Sequence, residues 1–338
     1  MQRVLCFGEL LLRLSPTLQG KWLQNASIPV YTGGAELNVA NALAKWNMPV
    51  SYFTALPANY LSKEIIELLK EKNINTSLIN FSGERIGIYF LPQGADLKNA
   101  GVIYDRADSS FSRLRTGMFD WEKILEHVDW FHFSAITPAL NEHMPAICRE
   151  VLGIAARKNI TISVDLNYRS KLWQYGKNPV EIMPDLVTYC DVIMGNIWSA
   201  DTLLGIRTDE DIHNKKSKAA YLEQSRQTSN AIKAMSPKCK TIANTFRFDT
   251  ETGIHYYATL QQNDHQYISN EFISNNVIDK SGSGDCFMAG LIYGLSNNHP
   301  AQEIINFAAS AAYGKLHEVG DATSQTVEVI KSRLAAQA

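Results

Sequence analysis

Ile278-Asp279-Lys280-Ser281-Gly282-Ser283-Gly284-Asp285-Cys286-Phe287-Met288-Ala289-Gly290 is the stretch around which the chain is organised. It follows a segment that alternates like a strand, and it opens a run, Cys286 to Leu295, that reads as a helix. Two glycines one residue apart at a strand-to-helix junction leave backbone N–H groups bare, where the helix end already favours negative charge. Such a loop is an anion cradle. Asp285 falls in the first helical turn, beside whatever anion is bound. A carboxylate there is a poor phosphate ligand but a sensible base for an alcohol that attacks the phosphate. The same residues also fit a Gly-rich turn that caps a helix with an Asp. No Lys-Ser or Lys-Thr pair follows the second glycine, so this is not a Walker A loop. Phe287 stands where a dinucleotide fingerprint needs its third glycine.

A second glycine motif lies far upstream, in Tyr31-Thr32-Gly33-Gly34-Ala35-Glu36-Leu37-Asn38. The double glycine opens an Ala-rich helix with apolar residues at Leu37, Ala40 and Leu43. Gly33-Gly34 would let the backbone approach a ligand closely, and Asn38, one turn in, lies where a bound polyol could reach. A simple turn and local cap is the alternative.

Between the two motifs, residues 128–245 alternate strand and helix, which predicts a parallel sheet flanked by helices. The predicted strands include Val4–Leu12, Trp130–Ser134, Thr161–Asp165, Val192–Asn196 and Cys239–Thr245. Helices are predicted over 141–158, 180–189, 218–235, 301–315 and 326–336, and a hairpin over 252–272. Ligands of such sheets sit at the carboxyl ends of the strands, where Asp165, Asn167, Arg169 and Asn196 fall. Strands at 87–91 and 102–106 put Tyr104 and Arg106 on one face, where Arg106 could grip a carboxylate in a fork or simply be solvated.

Composition sets the limits. With 338 residues and a formal net charge of −2, nothing points to nucleic acid or an anionic membrane surface as partner, so any phosphate binding must be local. The five cysteines are scattered, odd in number and without a CxxC pair, which reads as reduced thiols in a cytoplasmic protein. Met1–Leu14 carries Arg3, Glu9 and Arg13 and makes a poor signal peptide, and no apolar run approaches the ~20 residues of a membrane helix.

The paired motifs, Gly33-Gly34…Asn38 and Asp279…Gly282-Ser283-Gly284-Asp285, make the chain resemble the ribokinase-like (PfkB) carbohydrate kinases over essentially its whole length. The resemblance implies one domain, residues 1–338. Its fold would be an α/β three-layer sandwich with a central, mostly parallel sheet and a small β lid from about 15–31 and 86–106. It implies ATP and Mg2+ as cofactors. Asp285 would be the catalytic base, and the amides of Gly282, Ser283, Gly284 and Asp285 an anion hole for the γ-phosphate. Within the family the chain looks most like the 2-keto-3-deoxygluconate kinases, matching at Gly34, Tyr89, Tyr104, Arg106 and Arg169. A neutral sugar needs no buried guanidinium and a sugar acid does, so Arg106 and Arg169 would hold the carboxylate, with Gly34, Asn38 and Tyr89 on the polyol. Asn196, Thr245, Arg247, Lys280, Gly282 and Gly284 would face the nucleotide.

Two positions depart from the family pattern. Ser199 replaces the glutamate of Asn-x-x-Glu, with Asp201 the nearest carboxylate, and Lys280 stands where threonine is common. The metal ligands are therefore unassigned. The alternatives are a fructokinase- or ribokinase-like enzyme for a neutral sugar and a non-catalytic homologue that binds sugar or nucleotide. An open-edged lid further predicts a homodimer through its strands.

Overall fold

Alternation within β1 (Val4–Phe7) already makes a two-faced sheet. Val4 and Cys6 enter one hydrophobic core, and Leu5 and Phe7 enter another on the opposite side. The computed structural model describes residues 1–16, 22–23, 27–94, 101–215, 217–250 and 253–337.

The first half of the chain continues with β2 (Leu11–Leu14), β3 (Val30–Gly33), α1 (Ala35–Lys45), β4 (Val50–Phe53), β5 (Ala55–Leu56), α2 (Tyr60–Glu71) and β6 (Asn80–Phe81). Then come β7 (Gly87–Phe90), β8 (Ile103–Asp105), α3 (Trp121–Ile124), β9 (Trp130–Ser134), α4 (Met144–Arg157), β10 (Thr161–Asp165) and α5 (Met183–Val187). The second half holds β11 (Val192–Gly195), α6 (Ile197–Leu204), α7 (Ile212–Lys215), α8 (Lys218–Met235), β12 (Thr241–Thr250), β13 (Gly253–Gln262) and β14 (His265–Ile268). Last are β15 (Phe272–Ser274), α9 (Ser283–Ser296), α10 (Ala301–Lys315) and α11 (Val327–Ala335).

The central sheet runs β14-β13-β12-β11-β10-β9-β1-β4, with β15 added to β13. Every pairing from β4 to β12 is parallel, and β13, β14 and β15 join antiparallel. Side chains of α1, α2, α9, α10 and α11 fill one core, and those of α4, α5, α6 and α8 the other. The result is the expected three-layer sandwich.

A second sheet, β3-β2-β7-β8, forms the lid. It begins earlier than expected. The apolar run Val4–Leu12, read as one strand, divides into β1 and β2, because the buried charges Glu9 and Arg13 find their partners away from the central sheet. Residues 17–21, 24–26 and 95–100 of the expected lid lie outside the described residues.

Two further boundaries differ. The helix expected over 180–189 shrinks to α5 behind a 3-10 turn at Pro179–Glu181, with prolines at both starts. The strand expected to end at Thr245 continues to Thr250. It runs beyond Gly195, the last residue of β11, which pairs with Asn244. Thr245 to Thr250 therefore run past the end of β11 still paired with β13, which β15 flanks on its other side, and form one wall of the cleft described next.

Candidate active site

Gly282 caps α9 with φ +76°, a left-handed conformation in which a side chain would be strained. A Cβ there would also lie 1.9 Å from the carbonyl oxygen of Asp321. The first helical bond of α9 runs from the Cys286 N–H to the Gly282 carbonyl, 2.8 Å, so the amides of residues 282–285 stay outside the helix ladder. A Cβ on Gly284 would meet nothing within 4 Å, because that face opens on the cleft. The Ser283 hydroxyl points away and donates to the Ala312 carbonyl at 3.0 Å, tying α9 to α10.

Asp285 lines the same cleft while only 8% exposed. Burial pushes its carboxyl from 3.8 up to about 7; the Asn38 hydrogen bond and the Arg169 charge oppose the rise, and Glu36 and Asp321 add to it. Asn38 Nδ2 donates to Asp285 Oδ2 at 2.7 Å. The amide oxygen of Asn38 is buried with no protein partner among the described residues.

Asn38 reaches Asp285 because α1 is pinned to the end of β9. Glu36 accepts from the Ser134 N–H at 2.9 Å and the Ser134 hydroxyl at 2.6 Å. Burial raises the Glu36 carboxyl, and these bonds hold it back. The glycine pair that opens α1 serves its own neighbours. Gly34 has φ +133° and a Cβ there would lie 2.4 Å from the Glu9 carbonyl oxygen; one on Gly33 would lie 3.1 Å from the Tyr89 hydroxyl.

The carboxyl ends of β10, β11 and β12 supply the opposite wall. Asp165, Asn167, Arg169, Asn196, Ser199, Thr245, Arg247 and Lys280 line the cleft together with Gly282, Ser283, Gly284 and Asp285. The cleft runs on into a wider cavity of about 570 Å³ that reaches the lid at Val102 and Tyr104 and shares Arg169, Asn196, Ser199 and Arg247. The Asn196 side chain caps α6 by accepting from the Ser199 N–H at 2.8 Å. Lys280 pairs with Asp249 at 3.0 Å. Asp201, the carboxylate nearest the missing glutamate, turns away from the cleft and accepts from the Thr208 N–H at 2.9 Å.

Gly34, Asn38, Tyr89 and Arg106 are not among the residues lining the two cavities. Arg106 corrects one reading: it is 8% exposed rather than solvated, it lies one residue past β8, and both its Nε (2.9 Å) and Nη2 donate to Glu9 Oε2. Its guanidinium also lies 5.5 Å from the centre of the Tyr104 ring, so those two do share a face. The Tyr89 hydroxyl donates to Asp321. Sequence reasoning missed Glu9, Arg13 and Lys315. The available signal was the presence of charges inside apolar runs. All five cysteines are free and buried. No described helix is long and apolar enough to cross a membrane.

The donors that face the cleft are hard oxygens, Asp165 and Asp285 carboxylates and the Ser199 hydroxyl among them, and no cluster of three metal-binding side chains exists among the described residues. That set suits a magnesium that keeps phosphate and water ligands and takes one or two carboxylates from the protein.

Comparison with known proteins agrees with this architecture. A crystal structure of 2-dehydro-3-deoxygluconokinase from Thermotoga maritima superimposes with a TM-score of 0.89 at 34% identity, covering 99% of this chain and 100% of that one. The 2-dehydro-3-deoxygalactonokinase of Haloferax volcanii is 26% identical over 96% of this chain and 94% of its own length. The 2-dehydro-3-deoxygluconokinase of Bacillus subtilis is 24% identical over 90% and 86%. Residues 1–327 match the pfkB family of carbohydrate kinases, and with the sandwich, the lid and the glycine-flanked Asp285 in place, the chain belongs to that family as an ATP-dependent sugar kinase.

Proposed function

We propose that this kinase transfers the γ-phosphoryl group of ATP to a hydroxyl of 2-keto-3-deoxygluconate or a close sugar acid. The observation that carries the reading is Asp285. It is a buried carboxyl raised to about 7, held by Asn38 at the open N-terminus of α9, with Arg169 in the same cleft. A base poised near neutrality takes a hydroxyl proton well. The amides of Gly282 to Asp285 receive the transferred phosphoryl group, and the chemistry is mostly positioning and charge stabilisation.

Asn38 orients Asp285 through its amide N–H. Arg169 meets the sugar carboxylate, and Arg106, engaged by Glu9, supports the lid wall behind Tyr104. Thr245, Arg247 and Lys280 flank the nucleotide phosphates, and Asn196 holds the start of α6 beside them. Magnesium, when bound with ATP, would neutralise phosphate charge, and Asp165 and Ser199 would hold it or its waters.

The Glu9–Arg106 pair favours a second reading, a neutral sugar, since one of the two arginines is already neutralised. An ADP-release assay with ATP, magnesium and a panel of 2-keto-3-deoxygluconate, gluconate, fructose and ribose decides. Turnover of the keto-deoxy acid supports the first reading, turnover of only a neutral sugar supports the second, and silence across the panel overturns both. The lid edges β3 and β8 expose Val30 and Ile103, which suits a homodimer through the lid. Light scattering on the eluting peak tests this, and a monomer would refute it.

A further inference from the structure

The loop that shapes the anion hole is held from the lid. Arg13 on β2 is wholly buried, 0% exposed, although it is a guanidinium. Its Nη1 donates to Asp279 Oδ2 at 2.8 Å and to Asp321 Oδ2 at 3.4 Å. Burial alone would lower the Arg13 guanidinium, but Asp321 and Asp279 outweigh it and raise it. Tyr89 on β7, the residue in register with Arg13 across the parallel β2–β7 pair, donates to the other oxygen of Asp321.

Both aspartates act on the anion hole. Asp279 Oδ1 accepts from the Ser281 N–H at 3.1 Å, just before Gly282, and Asp279 Oδ2 from the Gly320 N–H at 3.3 Å. The Asp321 carbonyl oxygen occupies the place where a Gly282 side chain would start. Lys315, also wholly buried, donates to the Gly320 carbonyl at 2.7 Å and the Glu318 carbonyl at 3.2 Å, closing the same turn from behind. Two cations and two carboxylates thus surround the base of the loop.

A buried ion pair generally adds little stability over packed apolar residues of the same volume, so what this cluster provides is geometry. Resting on the anion-hole reading of residues 282–285, we infer that Arg13 is a positioning residue. With Tyr89 it forms a strut that sets the 279–285 and 320–321 segments to receive the transferred phosphoryl group, and it ties that geometry to the position of the sugar lid. Displacing catalytic donors by about 1 Å can cost on the order of 10²-fold in rate.

The test uses the full-length chain as wild type, Arg13→Met, Arg13→Lys, Tyr89→Phe and Asp285→Asn, with whichever panel sugar wild type phosphorylates. Arg13→Met is expected to lower kcat by about 10- to 100-fold per folded molecule with sugar KM nearly unchanged. Arg13→Lys should recover part of the loss, because one ammonium can still meet one carboxylate. Tyr89→Phe should lower kcat by a smaller factor without raising sugar KM; a pure KM effect would make Tyr89 a sugar contact and overturn the strut. Should Arg13→Met fail to fold, Tyr89→Phe alone decides by the same criterion.

Amide hydrogen exchange gives a readout independent of turnover. Arg13→Met, or Tyr89→Phe in its place, should speed exchange of the peptide spanning residues 278–290 while β9 to β11 keep wild-type protection. Unchanged exchange there, or a uniform increase throughout, would overturn the inference. Asp285→Asn separates the two claims. If it retains turnover, the anion-hole and base reading fails. If it is inactive while Arg13 and Tyr89 variants keep kcat, only the strut fails.

Discussion

Replacing Asp285 by Asn should stabilise the fold while it abolishes catalysis, and the stabilisation should depend on pH. The folded carboxyl titrates near 7 and the free one at 3.8. Because the folded value is raised, the proton is bound more tightly in the folded state. The group's favourable contribution is complete below about pH 4 and is lost as pH rises through about 7. The gap is about three pH units, and at about 1.36 kcal/mol for each, ionised Asp285 costs the fold about 4 kcal/mol once pH passes 8. Near pH 5 the folded carboxyl is still protonated and the free one is not, which leaves a cost of under about 2 kcal/mol.

Asn is nearly isosteric and its amide oxygen can still accept from Asn38, so the variant removes the charge and little else. Urea unfolding extrapolated to water measures the difference. The expected gain for Asp285→Asn is about 4 kcal/mol near pH 8 and under about 2 kcal/mol near pH 5, with kcat down by at least about 10²-fold. A gain that is equal at the two pH values, or that grows towards low pH, would refute the buried, proton-hungry Asp285 on which the mechanism rests.

Three further outcomes follow from the same structure. The kcat/KM of the wild type should fall about tenfold per pH unit below about 7 as Asp285 gains its proton, and a flat profile down to about pH 5 would remove it as the base. Gly290→Ala should destabilise by about 1–3 kcal/mol in thermal or urea melts. Its new Cβ would lie 2.6 Å from Ala308 Cα on α10, and that backbone clash exceeds the roughly 1 kcal/mol of helix propensity gained; a neutral or stabilising result would refute it. Arg106→Ala should cost about 3–5 kcal/mol by stranding the Glu9 carboxylate, and the double variant Glu9→Gln/Arg106→Ala should recover most of that. If the double variant raises KM about tenfold or more for the sugar acid alone, Arg106 does contact substrate.

The sandwich was legible because its signals are local. Strand alternation and helical spacing depend on neighbours a few positions apart, and the 218–235 and 301–315 helices were read at their observed ends. The Gly282–Asp285 turn was legible for the same reason. The split of Val4–Leu12 was not, because nothing within the run says that Arg13 will meet Asp279 and Asp321 some three hundred residues away. The fate of Arg106 was hidden likewise. Its partner Glu9 lies on the connection between two sheets, and alternation gives the face of a strand but not what covers it. Gly33 and Gly34 were read as room for a ligand, and the atoms that need the room are the Tyr89 hydroxyl and the Glu9 carbonyl.

The charges of the cleft bear on the substrate class. Asp165 and Asp285 line it on the negative side, and Arg169, Arg247 and Lys280 on the positive side. Lys280 is already matched by Asp249, and Arg106 by Glu9 outside the cleft. A sugar acid would bring one more negative charge beside Asp285, and a like charge nearby raises a carboxyl that burial has already raised. Unopposed, that would hold the base protonated at neutral pH and stop the reaction. Arg169 already lowers Asp285 from within the same cleft. If Arg169 takes the substrate carboxylate, the incoming charge is neutralised at the point where it would harm the base. The same guanidinium then selects the acid and keeps Asp285 able to accept a proton. Losing Arg169 should therefore slow a sugar acid in two ways, by weaker binding and by a higher pH midpoint for kcat, whereas a neutral sugar should show the raised midpoint with little loss of binding.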